Sequence, residues 1–183
     1  MANANTDVTL QGVHDAVERA IRARFPGFRT VEFYRSEEDE RELATPACLL
    51  EMTELEPTQE SDGGSGKLPA LLRFEARIIM QARDDGALME LRKAAAAMLV
   101  WLHQLGRFPG IPGDRIIAMG AEPDDWRPAH GGFRGWLVEF GVPCLLGIDA
   151  WAGENDGPAP RAFYSFAPRI GATHEGDYIE AGE

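Results

Sequence analysis

The sequence predicts an α+β fold: a mostly antiparallel sheet with two helices packed on one face, followed by an extended C-terminal tail. Three observations carry this prediction. Leu72, Phe74, Ala76, Ile78 and Met80 alternate with Arg73, Glu75 and Arg77, the period-two pattern of a strand with one face in a core. Leu10, Val13, Val17 and Ile21, and again Leu88, Leu91, Ala95, Met98, Leu102 and Leu105, recur in steps of three and four, as on the buried stripe of a helix. The remaining apolar runs fall between turn signals, in the order helix, weak strand, strand, long loop, strand, helix, strand, strand, tail. The 183 residues suit one domain of about 100–150 residues plus a tail. We place the domain at residues 1–150 and the tail at 151–183.

Each element has a local reason. Asp7 or Thr9 can cap the first helix. Arg19, Arg22 and Arg24 gather toward its end, where cations favour the helix dipole, and Phe25-Pro26-Gly27 stops it. Thr30 to Tyr34 is a short strand. Ser36 to Glu42 is a charge run, expected as a solvated loop or turn. Pro46 opens Ala47-Cys48-Leu49-Leu50-Glu51-Met52, apolar on both faces at its start and therefore expected inside the sheet. Glu54 to Lys67 is expected as an acidic loop with a flexible Gly63-Gly64-Ser65-Gly66 tip, closing a long antiparallel hairpin. Asp84 or Asp85 caps the second helix. Ala94 to Ala97 give it high propensity, and Gly106 stops it. Arg115 to Met119 is expected as a strand and Pro123-Asp124-Asp125 as a turn. Phe133 to Val142 forms the last strong strand, with Trp136, Val138, Phe140 and Val142 on one face. Gly135 and Gly141 on the other face permit close approach. Pro143 marks a bend or an edge.

Charge and cysteine content narrow the function. Eighteen Lys and Arg against 30 Asp and Glu leave a formal charge of −12, which counts against a general nucleic-acid binder, whose footprint is basic. Cys48 and Cys144 lie in strand-like runs without CxxC spacing. Buried free thiols are the first reading and a single disulfide between neighbouring strands the second. The segment Met1 to Asp7 lacks the basic and apolar regions of a signal peptide, and no apolar run approaches the roughly 20 residues of a membrane helix.

The chemical motifs are sparse. His14 and His103 sit on predicted helices without an HxxxH or HExxH partner and are read as surface or flank residues. Asp124, Asp125 and His130 can together hold a divalent cation, with a plain turn as the preferred reading. No GxSxG or GxxxxGK[ST] occurs, and the glycine-rich tip lacks the lysine and helix N-terminus of a phosphate loop. No catalytic residue, metal or cofactor is expected.

The N-terminal helix closing in Arg-rich sequence before Phe25-Pro26, the Pro46-led strand, the long loop, the Leu72–Met80 strand, the alanine-rich helix 87–105 and the final Trp136-Leu137-Val138-Glu139-Phe140 strand together resemble the tail terminator family of long-tailed bacteriophages. The resemblance spans residues 8–147 and is one of order and texture. It implies a homo-hexameric ring in the virion, at the tail–neck junction, after assembly in the host cytoplasm. The ring would cap the tail tube, end its polymerisation, and offer a surface to the head–tail connector and, in contractile tails, to the sheath. It implies no catalysis and no membrane. DNA would pass through the lumen without specific binding, which an acidic lining favours because phosphate binding is driven by Lys and Arg. Six copies would carry a charge of about −72. Candidate interaction residues are Glu54, Glu56, Glu60 and Asp62 in the loop, and Phe163, Tyr164, Phe166 and Tyr178 in the tail. The tail cannot build its own core. Docking on a neighbouring subunit, docking on its own domain and disorder are its three readings. The alternatives to the terminator are another neck protein of similar texture and, from a different class, a small enzyme or ligand-binding domain.

Overall fold

A computed structural model of the chain describes residues 7–36, 42–81, 85–124, 132–148, 163–164, 172–177 and 179–180. The chain divides into two units, Met1–Ala150 and Trp151–Glu183. The first is the expected α+β domain. It contains α1 (Leu10–Arg24), β1 (Thr30–Phe33), β2 (Ala47–Pro57), β3 (Leu68–Gln81), α2 (Asp85–Leu105), β4 (Ile117–Asp124) and β5 (Phe133–Leu146). The strands form one sheet in the order β1-β2-β3-β5-β4.

The cap of α1 is Thr9, whose hydroxyl accepts from Gly12 N at 3.0 Å. Val13, Ala16, Val17 and Ile21 are buried against the sheet. β1 runs parallel to β2, so residues 34–46 must carry the chain from one end of the sheet to the other. Leu43 on this crossover packs with Ala47, Leu49 and Ile79 on the sheet face away from the helices. That contact explains why both faces of β2 begin apolar.

The β2–β3 hairpin is antiparallel, with a bulge between Met52 and Glu54. The expected loop from Glu54 is corrected here: β2 continues to Pro57. Glu54 and Glu56 remain in the ladder because Arg73 lies beside them on β3. The true loop, residues 58–67, is held by Asp62, whose carboxylate accepts from Gly64 N at 2.9 Å and Gly66 N at 2.8 Å. These backbone donors hold the Asp62 carboxyl below its ordinary value.

Helix α2 begins at Asp85, and Asp84 lies outside the described residues. Leu91, Ala95, Met98 and Leu102 are buried beneath it. Arg107 to Gly113 returns the chain to the sheet. Gly113 has a positive φ of 151°, and a Cβ there would collide with the Pro143 carbonyl. β4 extends two residues into the expected Pro123–Asp125 turn, because Asp124 pairs with Gly135. The missing side chain at Gly135 leaves room for the Asp124 carboxylate. The β4–β5 ladder ends at Ile117 and Gly141, so Pro143 follows the last residue of β5 that β4 pairs. Val8 bridges Gly147 through two backbone hydrogen bonds.

The core lies between the helices and one face of the sheet. Phe74 and Phe140 are opposite each other on β3 and β5 and stack at 5.5 Å. Phe108 extends the cluster to Trp101 of α2, which meets Phe25 edge-on at 5.4 Å. Cys48 and Cys144 are free and buried on opposite neighbours of β3, across from Ile78 and Ala70. That register separates them by roughly 26 Å along the sheet, so the disulfide alternative fails. Burial pushes their thiols up to about 12 and about 11.

The second unit contains β6 (Phe163–Tyr164) and β7 (Ile179–Glu180), paired antiparallel, with a 3₁₀ turn at Ala172–Asp177 between them.

Removing the Phe140 ring empties the centre of the aromatic cluster. Phe140→Ala is expected to lower stability by about 3–5 kcal/mol, read as a shift of the urea midpoint at constant slope.

Candidate functional site

The sheet presents two chemically different faces. Period-two alternation sends Leu72, Phe74, Ala76 and Ile78 of β3 toward the helices and Arg73, Glu75 and Arg77 to the other side. The same parity on the neighbouring strands places Glu51, Glu54 and Glu56 of β2, Glu139 of β5, and Glu122 and Asp124 of β4 on that side. Carboxylates therefore outnumber guanidiniums on this open face.

Arg77 is the hub. Its guanidinium meets Glu51 at 2.7 Å, Glu75 at 2.7 Å and Asp124 at 3.3 Å, joining β2, β3 and β4 across the sheet. Arg73 meets Glu54 at 2.9 Å and Glu56 at 3.3 Å nearer the loop, and its other nitrogen approaches the Met119 sulfur at 3.7 Å. Partial burial pulls Arg77 down, but the Glu51 hydrogen bond and the Asp124 and Glu75 charges outweigh it, and the net direction is up. Burial pushes the Glu75 carboxyl above the usual glutamate range. Arg77 opposes that shift, while Glu51, Glu139 and Asp124 reinforce it. The cluster is acid-rich and compensated around one cation.

A second polar feature sits between α1 and β1. His14, expected at a surface or flank, is instead buried, with 8% of its surface exposed. The Leu10 carbonyl can only accept, so His14 Nδ1–H donates to it at 2.8 Å, and the Tyr34 hydroxyl donates to Nε2 at 2.6 Å. With both nitrogens satisfied, the ring can pack on Phe33 at 4.5 Å and on Phe74 at 5.7 Å. Tyr34 reaches it from a left-handed backbone, φ 58°.

Glu54 and Glu56 lie on the open face against Arg73, not in a loop. Glu60 is exposed in the loop, and Asp62 is the residue that shapes it. Phe163 is exposed on β6, and Tyr164 pairs with Ile179. Phe166 and Tyr178 lie outside the described residues, as do Asp125 and His130. Asp124 faces Arg77. Among the described residues no group of His, Cys, Asp and Glu has the arrangement of a metal site. Alternation marked Arg73, Glu75 and Arg77 as outward. Their partners Glu51, Glu139 and Asp124 come from distant strands, and only the sheet register brings them together.

A groove runs between α2 and the outer strand β4, lined by Leu99, Val100, His103 and Gln104 of the helix and Ala118, Met119 and Gly120 of the strand. Val100 of this lining is half exposed. No described helix is long and apolar enough to cross a membrane.

No protein-family model matches the chain, and no curated protein matches it.

Two measurements probe these clusters. A raised folded-state pKa at Glu75 makes its contribution fall as pH rises from the usual glutamate range through the folded value, because the folded state then binds more protons than the unfolded one. Glu75→Gln removes that slope. Its stability relative to the parent is expected to increase as pH rises above about 4.5 in urea titrations from pH 4 to pH 8; a constant difference would refute the assignment. Tyr34→Phe strands His14 Nε2 and is expected to cost about 1–2 kcal/mol in the same assay.

Proposed function

We propose that this protein is a structural subunit of a long-tailed bacteriophage particle, a tail terminator. Copies assemble as a homo-hexameric ring on the head-proximal end of the tail tube, stop its growth and join it to the head–tail connector. The observation that supports this most is the two-faced sheet. One face is fully used for the core. The other is covered by Leu43 only over Ala47, Leu49 and Ile79; the rest carries more carboxylates than arginines and adjoins exposed apolar residues at the β4 edge. Such a subunit has a surface for neighbours and a surface that repels phosphate. An acidic lining lets DNA slide through a ring without adhering, since backbone affinity scales with the phosphates that Lys and Arg neutralise. The resemblance of the element order over residues 8–147 to the tail terminators supports the same reading. The role is one of assembly and not of catalysis.

Particles assembled without the protein test this directly. Electron microscopy is expected to show tail tubes of abnormal length, or tails detached from filled heads. Tailless heads beside tails of normal length with intact ends would move the protein to another position in the neck. Normal infectious particles would overturn the structural role.

A further inference from the structure

We propose that the segment Arg161 to Arg169 of one copy docks along the β4 edge of a second copy. This contact rests on the ring reading, for which it names the joint between neighbours.

The two free edges of the sheet differ. On β1, Tyr34 N bonds Leu50 O on β2, so by alternation the Val31 carbonyl points outward, and Arg22 of α1 donates to it. That edge is short and capped. β4 is longer, no described strand pairs with its outer side, and it borders the groove against Val100 and His103. Its apolar side chains Ile117 and Met119 remain 46% and 36% exposed.

The occupant is identified by chemistry. The chain is strongly acidic, yet Arg-Ala-Phe-Tyr-Ser-Phe-Ala-Pro-Arg, residues 161–169, holds two arginines, three aromatics and no acid. Its first aromatics already lie in a strand, β6, whose ribbon with β7 has only two residues per strand. A ribbon that small is not stable by itself, and it leaves Phe163 and Ile179 about half exposed. The β4 edge supplies the complement: apolar Ile117 and Met119 at one end, and Glu122 with the acid-rich Arg77 cluster at the other. Pro123 and the bulge at Met119 prevent a continuous backbone ladder. Aromatic docking and Arg–carboxylate pairing therefore carry the contact.

The test uses the full chain in two differently tagged forms, Met119→Cys and Ser165→Cys, mixed and oxidised. The native thiols stay silent because both are buried. Each form carries one new thiol, so a disulfide joining the two tags is intermolecular. The expected result is that product in high yield, reduced at least tenfold by Arg161→Glu and restored when Glu122→Arg is added to the Met119→Cys form. Met119 and Glu122 are exposed on β4, and circular dichroism verifies that each variant is folded. Sedimentation of the unmodified protein separates the two claims. Absence of the product from a self-associating protein overturns this contact and leaves the ring standing. Its absence from a protein that stays monomeric overturns the contact and removes support for the ring. An internal disulfide in a dilute chain carrying both cysteines, without the mixed product, assigns the tail to its own domain and also overturns the contact.

Discussion

Phe74 and Phe140 face each other across β3 and β5, and most of the domain is arranged around that stack. The two strands are the central and longest pair of the sheet, so the rings sit where both helices can reach them. Phe33 and His14 approach Phe74 from the β1 and α1 side. Phe108 approaches Phe140 from the connector after α2, and Trp101 links that connector back to Phe25. Both ends of α1 and the C-terminal part of α2 are thereby tied to the same aromatic mass. Burial of such rings is the largest favourable contribution a domain of this size has available, and their shapes also specify one packing.

The face opposite the core follows from the same alternation. Once Phe74, Ala76 and Ile78 point inward, Arg73, Glu75 and Arg77 must point outward. Two arginines serve carboxylates from three strands there; burial, reinforced by the surplus negative charge, raises Glu75, and the same carboxylates hold Arg77 charged. The charged part of this face, beyond the patch under Leu43, cannot be covered by an apolar layer without stranding its charges. It stays open to water or meets a partner that is itself polar, which suits a surface lining a channel or a joint between subunits.

His14 shows how an apparently polar residue can belong to the core. A helix carbonyl on one side and a tyrosine hydroxyl on the other satisfy both ring nitrogens. The Tyr34 backbone adopts a left-handed conformation that a non-glycine residue rarely holds. This pair locks α1 to the end of β1 beside the aromatic cluster, adding to the Arg22–Val31 hydrogen bond between the same two elements.

Local patterns in the chain determined the two helices, the strand cores and which face of β3 was buried, because periodicity, capping and propensity act over a few residues. A cap at Asp7 or Thr9, the stop at Gly106, the Leu72–Met80 alternation and the Trp136–Val142 face were all legible for that reason. Whether Glu54 lay in a loop or a strand was not, because Arg73, its partner, sits on another strand. The parallel β1–β2 pairing, the continuation of β4 to Asp124, the burial of His14 and the separation of the two cysteines were equally hidden. Each depends on residues far apart in sequence being brought together. The Arg77 cluster is the clearest case: its cation was visible as an outward residue of one strand, while its carboxylates come from three strands whose order and register only the folded sheet decides.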